Sequence, residues 1–521
     1  MPPAFSLTFF IISLAWAFYG FHFTNQRVAP WLQGLAHGSI ERILPSAVSA
    51  FLFDQLHFGD FGDLIMAVVV LVSCFVGFVF AYNIAMGVNW LWFRSIVWPL
   101  HFEGGFTPVI PSKKWPLTPP FSAATKIGIV LAGGGAKGAY QAGAMKAVYE
   151  YLEHHGALAN VKVIAGTSVG SWNAMFWLAG LIKSPRGWSE PGCHEWWWKR
   201  LKAKYLVAPR RFIPGRHNAF LSSAPWERQF DQIFGSEEMK AHLFNSNIHF
   251  YMTRSNVRSA GLECATNNPD PKAVNRVRYR KLKYDPRDDD ELPAAGENTQ
   301  KQQIDEFFAK LKMAVFASMD LPPLFPYIAS EYELYEDGGV IDNLPLSFPA
   351  AEGCDMIFIL PLNSDFEDEP NSRSFFVRIS RVIDVQQGAL ERHGFKLLYL
   401  YNENAALRER VRELEGNSPG SGITPEEPSG TIAMRGQPFE FAMQRKHKEI
   451  KVFAVCPDKS FVRSTLDTRD LWNTAGAKIA FDVMYDTTAQ LLEEYDFGET
   501  QKAARVALIR RAGSHIFDHD F

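Results

Sequence analysis

Two strand–turn–helix units in the middle of the chain constrain its fold most. The apolar run Lys126–Ala132 leads into the glycine turn Gly133–Gly138. A second run, Val161–Ala165, leads into another turn, Gly166–Gly170. Each run is followed by glycines and then by a helical pattern, which is the order of a βα unit. Further strands and helices alternate after them, so the sequence predicts a mostly parallel α/β sheet with right-handed crossovers.

Ser168 lies between Gly166 and Gly170 on the second turn. A serine on a sharp strand-to-helix turn is exposed for attack, and the N-terminus of the following helix favours its alkoxide. Flanking glycines fit this position because side chains would crowd a tight turn. The pattern therefore predicts Ser168 as a nucleophile.

A serine nucleophile needs a base, and Asp337 is the candidate. It ends a strand-like run and precedes Gly338 and Gly339, so a substrate can approach closely. An aspartate has an ordinary pKa of about 3.9, and it acts as a base only when held next to the hydroxyl in a poorly solvated site. An Asp before Gly is also common in ordinary turns, so this dipeptide alone decides nothing.

The first glycine turn supplies a third component. Its residues are Gly133, Gly134, Gly135, Ala136, Lys137 and Gly138. Main-chain N–H groups at a helix start can hold the oxyanion of a tetrahedral intermediate. The same turn matches the G-x-G-x-x-G dinucleotide fingerprint, and that alternative predicts a membrane oxidoreductase. The fingerprint expects an acid at the end of the second strand, where this chain has Gly-Thr-Ser instead.

The three motifs together resemble a known family. In this order, Gly-Gly-Gly-Ala-Lys-Gly, Gly-Thr-Ser-Val-Gly and Asp-Gly-Gly look like the patatin-like phospholipases. The segment from Ala317 to Pro326 also resembles the stretch before the family's Asp motif, although Met319-Asp320-Leu321 alters its spacing. The resemblance extends over Ile127–Leu362.

The resemblance implies a three-layer α/β/α sandwich and an enzyme that hydrolyses lipid acyl esters without a metal or another cofactor. It implies Ser168 as the nucleophile and Asp337 as the base. It also implies Gly133–Gly138 as the oxyanion loop, with Lys137 where the family has Arg or Lys. An acyl-serine intermediate follows from this chemistry.

Besides the dinucleotide-dependent oxidoreductase, two further alternatives to the hydrolase with a Ser–Asp dyad have to be weighed. An α/β-hydrolase triad would need a histidine after the acid, and we discount it because no candidate occupies a recognisable strand-end loop. The candidates are His393, His447, His515 and His519. A catalytically inactive lipid-binding scaffold is the third hypothesis, although the intact Ser168 and Asp337 argue against it.

Two uncharged stretches near the N-terminus predict membrane helices. Leu64–Tyr82 has no charge, and the uncharged stretch continues to Phe93. A bilayer core needs about 20 apolar residues in a helix, so we expect a span over about residues 64–86. Phe5–Phe23 is a second candidate span. Its alternative is a cleaved signal peptide, although no Lys or Arg precedes it.

The charge pattern and the composition shifts predict how the chain is organised. Basic residues after the second span, including Arg94, Lys113 and Lys114, favour a cytoplasmic catalytic domain. The predicted divisions are a membrane region (1–100), a Pro-rich linker (101–121), the catalytic domain (122–415), a disordered insertion (416–430) and a C-terminal part packing on the catalytic domain (431–521).

The predicted partners are a lipid substrate and a membrane surface. Trp196–Arg216 combines three tryptophans with seven basic residues and could contact anionic lipid. It could equally be a solvated basic face with the tryptophans in the core. The net charge of −3 gives no support for a nucleic-acid partner. Five scattered cysteines without CxxC spacing predict no metal site.

Overall fold

The computed structural model describes a defined part of the chain. The described residues are 122–183, 196–197, 200, 203–209, 219, 221–274, 277–283, 300–322, 324–330, 333–362, 375–416, 432–434, 437–439, 450–457 and 474–494. The chain divides into two compact units, residues 1–104 with 369–382, and residues 105–368 with 383–521. All described residues except 375–382 belong to the second unit.

The predicted membrane spans, 5–23 and 64–86, lie outside the described residues, as do the linker 101–121 and the insertion from 417 to 430. Among the helices of the described residues, none is both long and apolar enough to cross a membrane. The spans and the divisions of the chain therefore stay predictions.

A nine-stranded sheet forms the centre of the second unit. Its strands are β1 (Ile127–Leu131), β2 (Val161–Thr167), β5 (His249–Asn256), β6 (Gly261–Thr266), β7 (Val277–Lys281), β8 (Ile328–Ser330), β9 (Glu333–Asp337), β10 (Met356–Leu360) and β13 (Lys451–Ala454). Two short antiparallel ribbons also occur, β3 (Ala208–Pro209) with β4 (Leu221–Ser222), and β11 (Ile432–Met434) with β12 (Gln437–Phe439).

The main strand order is β13-β10-β1-β2-β5-β6-β7. The pairs from β13 to β5 are parallel, and so is β6 with β7. The prediction of a mixed α/β fold with a mostly parallel central sheet is confirmed. Three antiparallel pairings depart from a purely parallel order, because β6 and β9 both run antiparallel to β5, and β8 runs antiparallel to β9.

Nine α-helices connect or flank these strands in the described part of the chain. They are α1 (Gly138–His154), α2 (Val169–Leu178), α3 (Ala203–Leu206), α4 (Ala224–Phe234), α5 (Glu237–Phe244), α6 (Gln300–Ser318), α7 (Ser347–Ala351), α8 (Phe375–Gly416) and α9 (Thr474–Glu494). Short 3-10 turns cover Gly135–Lys137, Leu158–Asn160 and Gly338–Val340.

The sheet separates two hydrophobic cores, because successive side chains of a strand point to opposite faces. Ile127, Ile129 and Leu131 of β1 join the larger core, to which α1, α2, α4, α6 and α9 contribute. Val130 of the same strand joins the smaller core, together with Phe395 of α8. Helices therefore cover both faces of the sheet, and the ends of its strands remain available for a site.

Candidate active site

Ser168 occupies a strained turn between β2 and α2. Its backbone has φ 53° and ψ −126°, an unusual conformation for a residue with a side chain. The turn is tightly packed, since a Cβ atom on Gly170 would lie 2.2 Å from the carbonyl oxygen of Leu131, and one on Gly166 would lie 2.8 Å from the backbone of Gly170. Glycine at these two positions thus lets α2 approach the strands closely.

The Ser168 hydroxyl donates to the Asp337 carboxylate, with Oγ 2.6 Å from Oδ2. The other carboxylate oxygen, Oδ1, accepts from the main-chain N–H of Gly339 at 2.7 Å. Both side chains are buried, with 7% of Ser168 and 1% of Asp337 exposed. The structure therefore brings the two predicted residues into direct contact in a site largely shielded from water.

Strand β5 is the element that brings Ser168 and Asp337 together. Thr167, the last residue of β2, pairs with Thr253 of β5. Asp337, the last residue of β9, pairs with Arg254, the next residue of β5. Because β2 and β9 follow the same edge of β5 in opposite directions, their ends meet there. The residue after β2 is Ser168, so the two side chains become neighbours.

Two hydroxyls beneath this junction connect the two loops. Thr167 Oγ1 donates to the main-chain carbonyl of Asp342 at 3.0 Å, and Thr253 Oγ1 lies 2.6 Å from Thr167 Oγ1. A Cβ atom on Gly338 would lie 2.4 Å from Thr253 Oγ1. Gly338 therefore lets the loop after Asp337 sit directly on the threonine pair.

Burial raises the pKa of Asp337 to about 7, against the lowering effect of the bonds from Ser168 and Gly339. The nearby charge of Glu336 raises it further. A carboxyl with a pKa near neutrality is a far better proton acceptor than an ordinary aspartate. The buried environment thus gives Asp337 the poor solvation and the raised pKa that an aspartate needs to act as a base.

A third acid, Asp320, lies beside this pair. Its main-chain carbonyl accepts from the N–H of Asp337 at 3.1 Å, and its side chain is 4% exposed. Burial, and then the charges of Asp337 and Glu336, raise the pKa of Asp320 to about 8. Its Oδ2 atom has no hydrogen-bond partner in the described part of the chain. A protonated side chain is the form that such burial favours.

The first glycine turn lies against the serine, because a Cβ atom on Gly133 would be 2.9 Å from the Cβ of Ser168. Its six N–H groups are not equivalent. Gly133 donates to the carbonyl of Asn343, and Lys137 donates to that of Gly134. Gly138 donates to the carbonyls of Gly135 and Ala136. Three of the predicted oxyanion donors are therefore already engaged in backbone bonds.

The remaining N–H groups belong to Gly134, Gly135 and Ala136. None of them has an acceptor among the described residues. Gly135 has φ 56°, a left-handed conformation that glycine adopts without a penalty. These three donors at the start of a helical segment could hold an anion beside Ser168.

Sequence reasoning gave no role to several residues that hold the site in place. Ser318 of α6 accepts from the main-chain N–H of Ser168 at 2.8 Å. Asn343 donates to the carbonyl of Gly133 at 3.2 Å and to Glu391 of α8 at 2.6 Å. Both lie in the segments that carried the family resemblance, but hydrogen bonds that span 48 to 210 positions have no local sequence signal.

Two buried amides support the glycine turn from behind. Asn173 of α2 donates to the carbonyl of Gly138 at 3.0 Å and to Gln141 at 2.9 Å, and it accepts from the indole N–H of Trp197 at 3.0 Å. Gln141 of α1 in turn donates to the carbonyls of Ala132 and Leu360. This chain of bonds joins α1, α2 and the ends of β1 and β10.

The structure corrects the lipid-contact hypothesis for the tryptophans of Trp196–Arg216. Trp196 and Trp197 are fully buried and pack with Trp172 and Trp226 in the larger core. Their large apolar rings lose more contact with water there than they could at a surface. Trp198 and most of the basic residues of this stretch lie outside the described residues.

The other sequence alternatives find no matching geometry. His393 lies on the exposed side of α8, while His447, His515 and His519 are outside the described residues. In the part of the chain that the structure describes, no group of three His, Cys, Asp or Glu side chains could hold a metal ion. For the dinucleotide alternative, the glycine turn faces Ser168 and Asn343 rather than an acid.

Comparison with known proteins gives one family match. The family model described as patatin-like phospholipase matches residues 129–349, which include Ser168 and Asp337. No curated protein matches the chain. Among solved structures, the crystal structure of VipD from Legionella pneumophila matches with 14% identity and a TM-score of 0.27, over 71% of this chain and 67% of that chain. A superposition this loose adds no argument. The family match shows that residues 129–349 are a patatin-like phospholipase domain, and this supports a lipid acyl hydrolase activity for the chain.

Proposed function

We propose that the chain is a membrane-anchored serine hydrolase that cleaves ester bonds of lipids, phospholipids among them, with Ser168 as the nucleophile and Asp337 as the base. The observation that carries this proposal is the 2.6 Å hydrogen bond from the Ser168 hydroxyl to a buried Asp337 carboxylate. The raised pKa of Asp337, to about 7, supports its role as a proton acceptor.

In the first half-reaction, Asp337 takes the hydroxyl proton as Ser168 Oγ attacks the acyl carbonyl carbon. The resulting tetrahedral oxyanion collapses, the ester C–O bond breaks, and protonated Asp337 returns its proton to the leaving alcohol. In the second half-reaction, water attacks the acyl-serine ester while Asp337 accepts its proton. Breakdown of that intermediate releases the fatty acid and returns the proton to Ser168.

The free N–H groups of Gly134, Gly135 and Ala136 support a role as oxyanion donors. They stand at the turn whose first residue, Gly133, packs against Ser168. Fixed donors aimed at developing charge typically contribute about 10²–10³ in rate each. The N–H groups of Gly133, Lys137 and Gly138 are already engaged in backbone hydrogen bonds. These three residues therefore shape the turn and do not contact the oxyanion.

The membrane location is part of the proposal and rests on the sequence. The uncharged stretches 5–23 and 64–86 would anchor the chain, and the basic residues after the second stretch favour a cytoplasmic catalytic domain. An anchor would hold a three-layer α/β/α domain at the surface where lipid esters reside.

Labelling with a fluorophosphonate, combined with measured release of fatty acid from a panel of phospholipids and neutral lipids, tests this proposal. We expect the full chain to be labelled at Ser168 and to release fatty acid. Ser168→Ala should abolish labelling and lower release by about 10⁴-fold or more, and Asp337→Asn should slow both strongly. Ser259→Ala, at an exposed turn, is the matched control. Undiminished labelling of the Ser168→Ala variant at another serine would refute the assignment.

A further inference from the structure

Two buried side-chain oxygens near Ser168 and Asp337 have no hydrogen-bond partner among the described residues. They are Oδ1 of Asn343 and Oε1 of Gln387 on α8. Asn343 is 0% exposed and Gln387 is 4% exposed. Buried carbonyl oxygens are almost always hydrogen-bonded, because an unmet acceptor gives up its contact with water without compensation. Two unmet acceptors beside a reactive serine therefore indicate a place where a bound molecule supplies the donors.

The two amides meet at Gly339, in the loop that follows Asp337. A Cβ atom on Gly339 would lie 2.6 Å from Asn343 Oδ1 and 3.1 Å from Gln387 Nε2. It would also lie 3.1 Å from Asp337 Oδ1, the oxygen that accepts from the Gly339 N–H. Asn343 and Gln387 are therefore neighbours of each other and of the proposed base.

Asn343 Oδ1 borders the nucleophile as well. A Cβ atom on Gly133 would lie 2.5 Å from Asn343 Oδ1 and 2.9 Å from the Cβ of Ser168. The oxygen thus lies between the glycine turn and the loop after Asp337. Because glycine has no side chain at position 133 or 339, no side chain from these two positions covers it.

Hydrogen bonds fix which atom of the Asn343 amide accepts. Its Nδ2 donates to the carbonyl of Gly133 at 3.2 Å and to the carboxylate of Glu391 at 2.6 Å. Both partners are acceptors, so the nitrogen must face them. The main-chain carbonyl of Asn343 also accepts from the N–H of Gly133 at 3.3 Å. Oδ1 is thus a firmly held acceptor, and its donor has to come from a molecule that enters the site.

The second half-reaction requires such a donor. In acyl-Ser168 the oxygen Oγ carries no hydrogen, so Asp337 Oδ2 loses the hydrogen bond that it receives from the free serine. A water molecule that donates one O–H to Asp337 still has a second O–H for Asn343 Oδ1 and a lone pair for the acyl carbon. An alcohol has a single O–H, which Asp337 takes, so an alcohol gains no hydrogen bond from Asn343.

We propose that Asn343, with Gln387 beside it, positions the water that hydrolyses acyl-Ser168 and thereby favours water over alcohols as the acyl acceptor. This inference rests on the proposed function and concerns only its second half-reaction. The water oxygen bonds to the acyl carbon as one of its protons passes to Asp337. The C–Oγ bond then breaks, Asp337 returns that proton to Ser168, and the second proton leaves on the fatty acid. Asn343 and Gln387 are positioning residues and exchange no proton.

The division of acyl-Ser168 between water and methanol tests this proposal. A soluble p-nitrophenyl ester is turned over in buffer that contains methanol, and the ratio of methyl ester to fatty acid is measured by gas chromatography. Gln387→Leu removes the Oε1 acceptor and keeps the donors and acceptors that join Asn343 to Gly133 and Glu391. We expect the ratio to rise about three- to tenfold in Gln387→Leu and about tenfold or more in Asn343→Ala, because a lost acceptor slows attack by water alone. Acyl-Ser168 should also accumulate in rapidly quenched samples analysed by mass spectrometry.

Two control variants separate positioning from general damage. Asn173→Ala disturbs the glycine turn, which serves both half-reactions, so it should slow the release of both products and leave their ratio unchanged. Asn404→Leu removes an amide at an exposed position of α8 and should also leave the ratio unchanged. If the ratio rises in neither Gln387→Leu nor Asn343→Ala, the proposal is wrong, and if Asn343→Ala does not fold, Gln387→Leu decides alone. An unsubstituted chain that forms no acyl-Ser168 and releases no p-nitrophenol would contradict the proposed function itself, and this inference with it.

Discussion

The hydroxyl of Ser318 accepts the main-chain N–H of Ser168 at 2.8 Å, and it also lies 2.9 Å from the hydroxyl of Ser171. Ser171 itself donates to the carbonyl of Gly166 at 3.0 Å. Helix α6 therefore holds the strained turn through the side chain of Ser318. One consequence is that the N–H of Ser168 is engaged and not available to an oxyanion, which agrees with the proposal that the N–H groups of Gly134, Gly135 and Ala136 act there.

We expect Ser318→Ala to destabilise the chain and to slow the acylation of Ser168. The substitution removes the acceptor for a buried N–H group, which typically costs about 1–3 kcal/mol in the free energy of unfolding. It also releases a residue whose backbone is held at φ 53°. Urea denaturation and the rate of fluorophosphonate labelling measure the two effects. Ser259→Ala, at an exposed turn, should change neither quantity, and a Ser318→Ala variant that behaved like it would contradict this role.

The raised pKa of Asp337 predicts that activity and stability change in opposite directions with pH. The base is ionised only above about pH 7, so kcat/KM should fall as the pH falls through 7. Between the ordinary value of 3.8 and about 7, the folded chain holds a proton that the unfolded chain has released. The contribution of this residue to the free energy of unfolding therefore decreases as the pH rises through that range.

Asp337→Asn separates this contribution from those of other groups. The difference in unfolding free energy between the variant and the unsubstituted chain should grow in favour of the variant from about pH 4 to pH 7, and it should level off above pH 7. Urea denaturation across this pH range, paired with a kcat/KM profile on a soluble ester, provides the measurement. A difference that does not vary with pH would show that Asp337 has an ordinary pKa.

Asp320 should limit activity on the alkaline side. The groups around it are Asp337 and Glu336 on β9, Glu227 on α4, Tyr327 and the main-chain N–H of Ile328. Three of these are acids, so an ionised Asp320 would add negative charge beside the buried Ser168–Asp337 pair and would disfavour the further negative charge of a tetrahedral intermediate. With a pKa of about 8, Asp320 is neutral at pH 7 and becomes charged above it.

We therefore expect Asp320→Asn to retain most activity at pH 7 and to remove a decline in kcat/KM above about pH 8. Asparagine has the shape and the neutral charge of the protonated acid. Asp270→Asn, at an exposed position, is the control for a general change in charge. If the alkaline limb is the same in the Asp320→Asn variant and in the unsubstituted chain, another group is responsible for it.

The parts of the fold that the sequence predicts are those with strong local patterns. The buried apolar runs gave β1 and β2 to within two residues at each end, and the glycine turns gave the starts of α1 and α2. Strands β6 and β7 were missed because their charged residues do not look like a buried strand. Glu263 is 1% exposed, yet it pairs with Arg254, Arg278 and Arg280 across β5, β6 and β7.

The site divides in the same way. Ser168 and Asp337 lie in recognisable motifs. Their contact, however, depends on β9 running antiparallel along β5, and no local sequence pattern predicts that pairing. The first half of helix α8 has no clear sequence signal, because Gly388 and Gly394 and a mixed polar pattern hide it. That hidden half supplies Gln386 and Glu391 to the loop after Asp337.

Asn173 provides the last prediction, because it connects the nucleophile helix to the glycine turn. Its amide donates to Gly138 and Gln141 and accepts from Trp197, so all of these bonds are lost in Asn173→Ala. We expect the free energy of unfolding to fall by about 2–4 kcal/mol, since a buried carbonyl and a buried indole N–H lose their partners. We also expect a larger fall in kcat than in 1/KM, because a displaced glycine turn would weaken its hold on the oxyanion more than on the bound lipid. Asn404→Ala, at an exposed position of α8, is the matched control. An Asn173→Ala variant that loses stability but keeps kcat would show that this network serves folding alone.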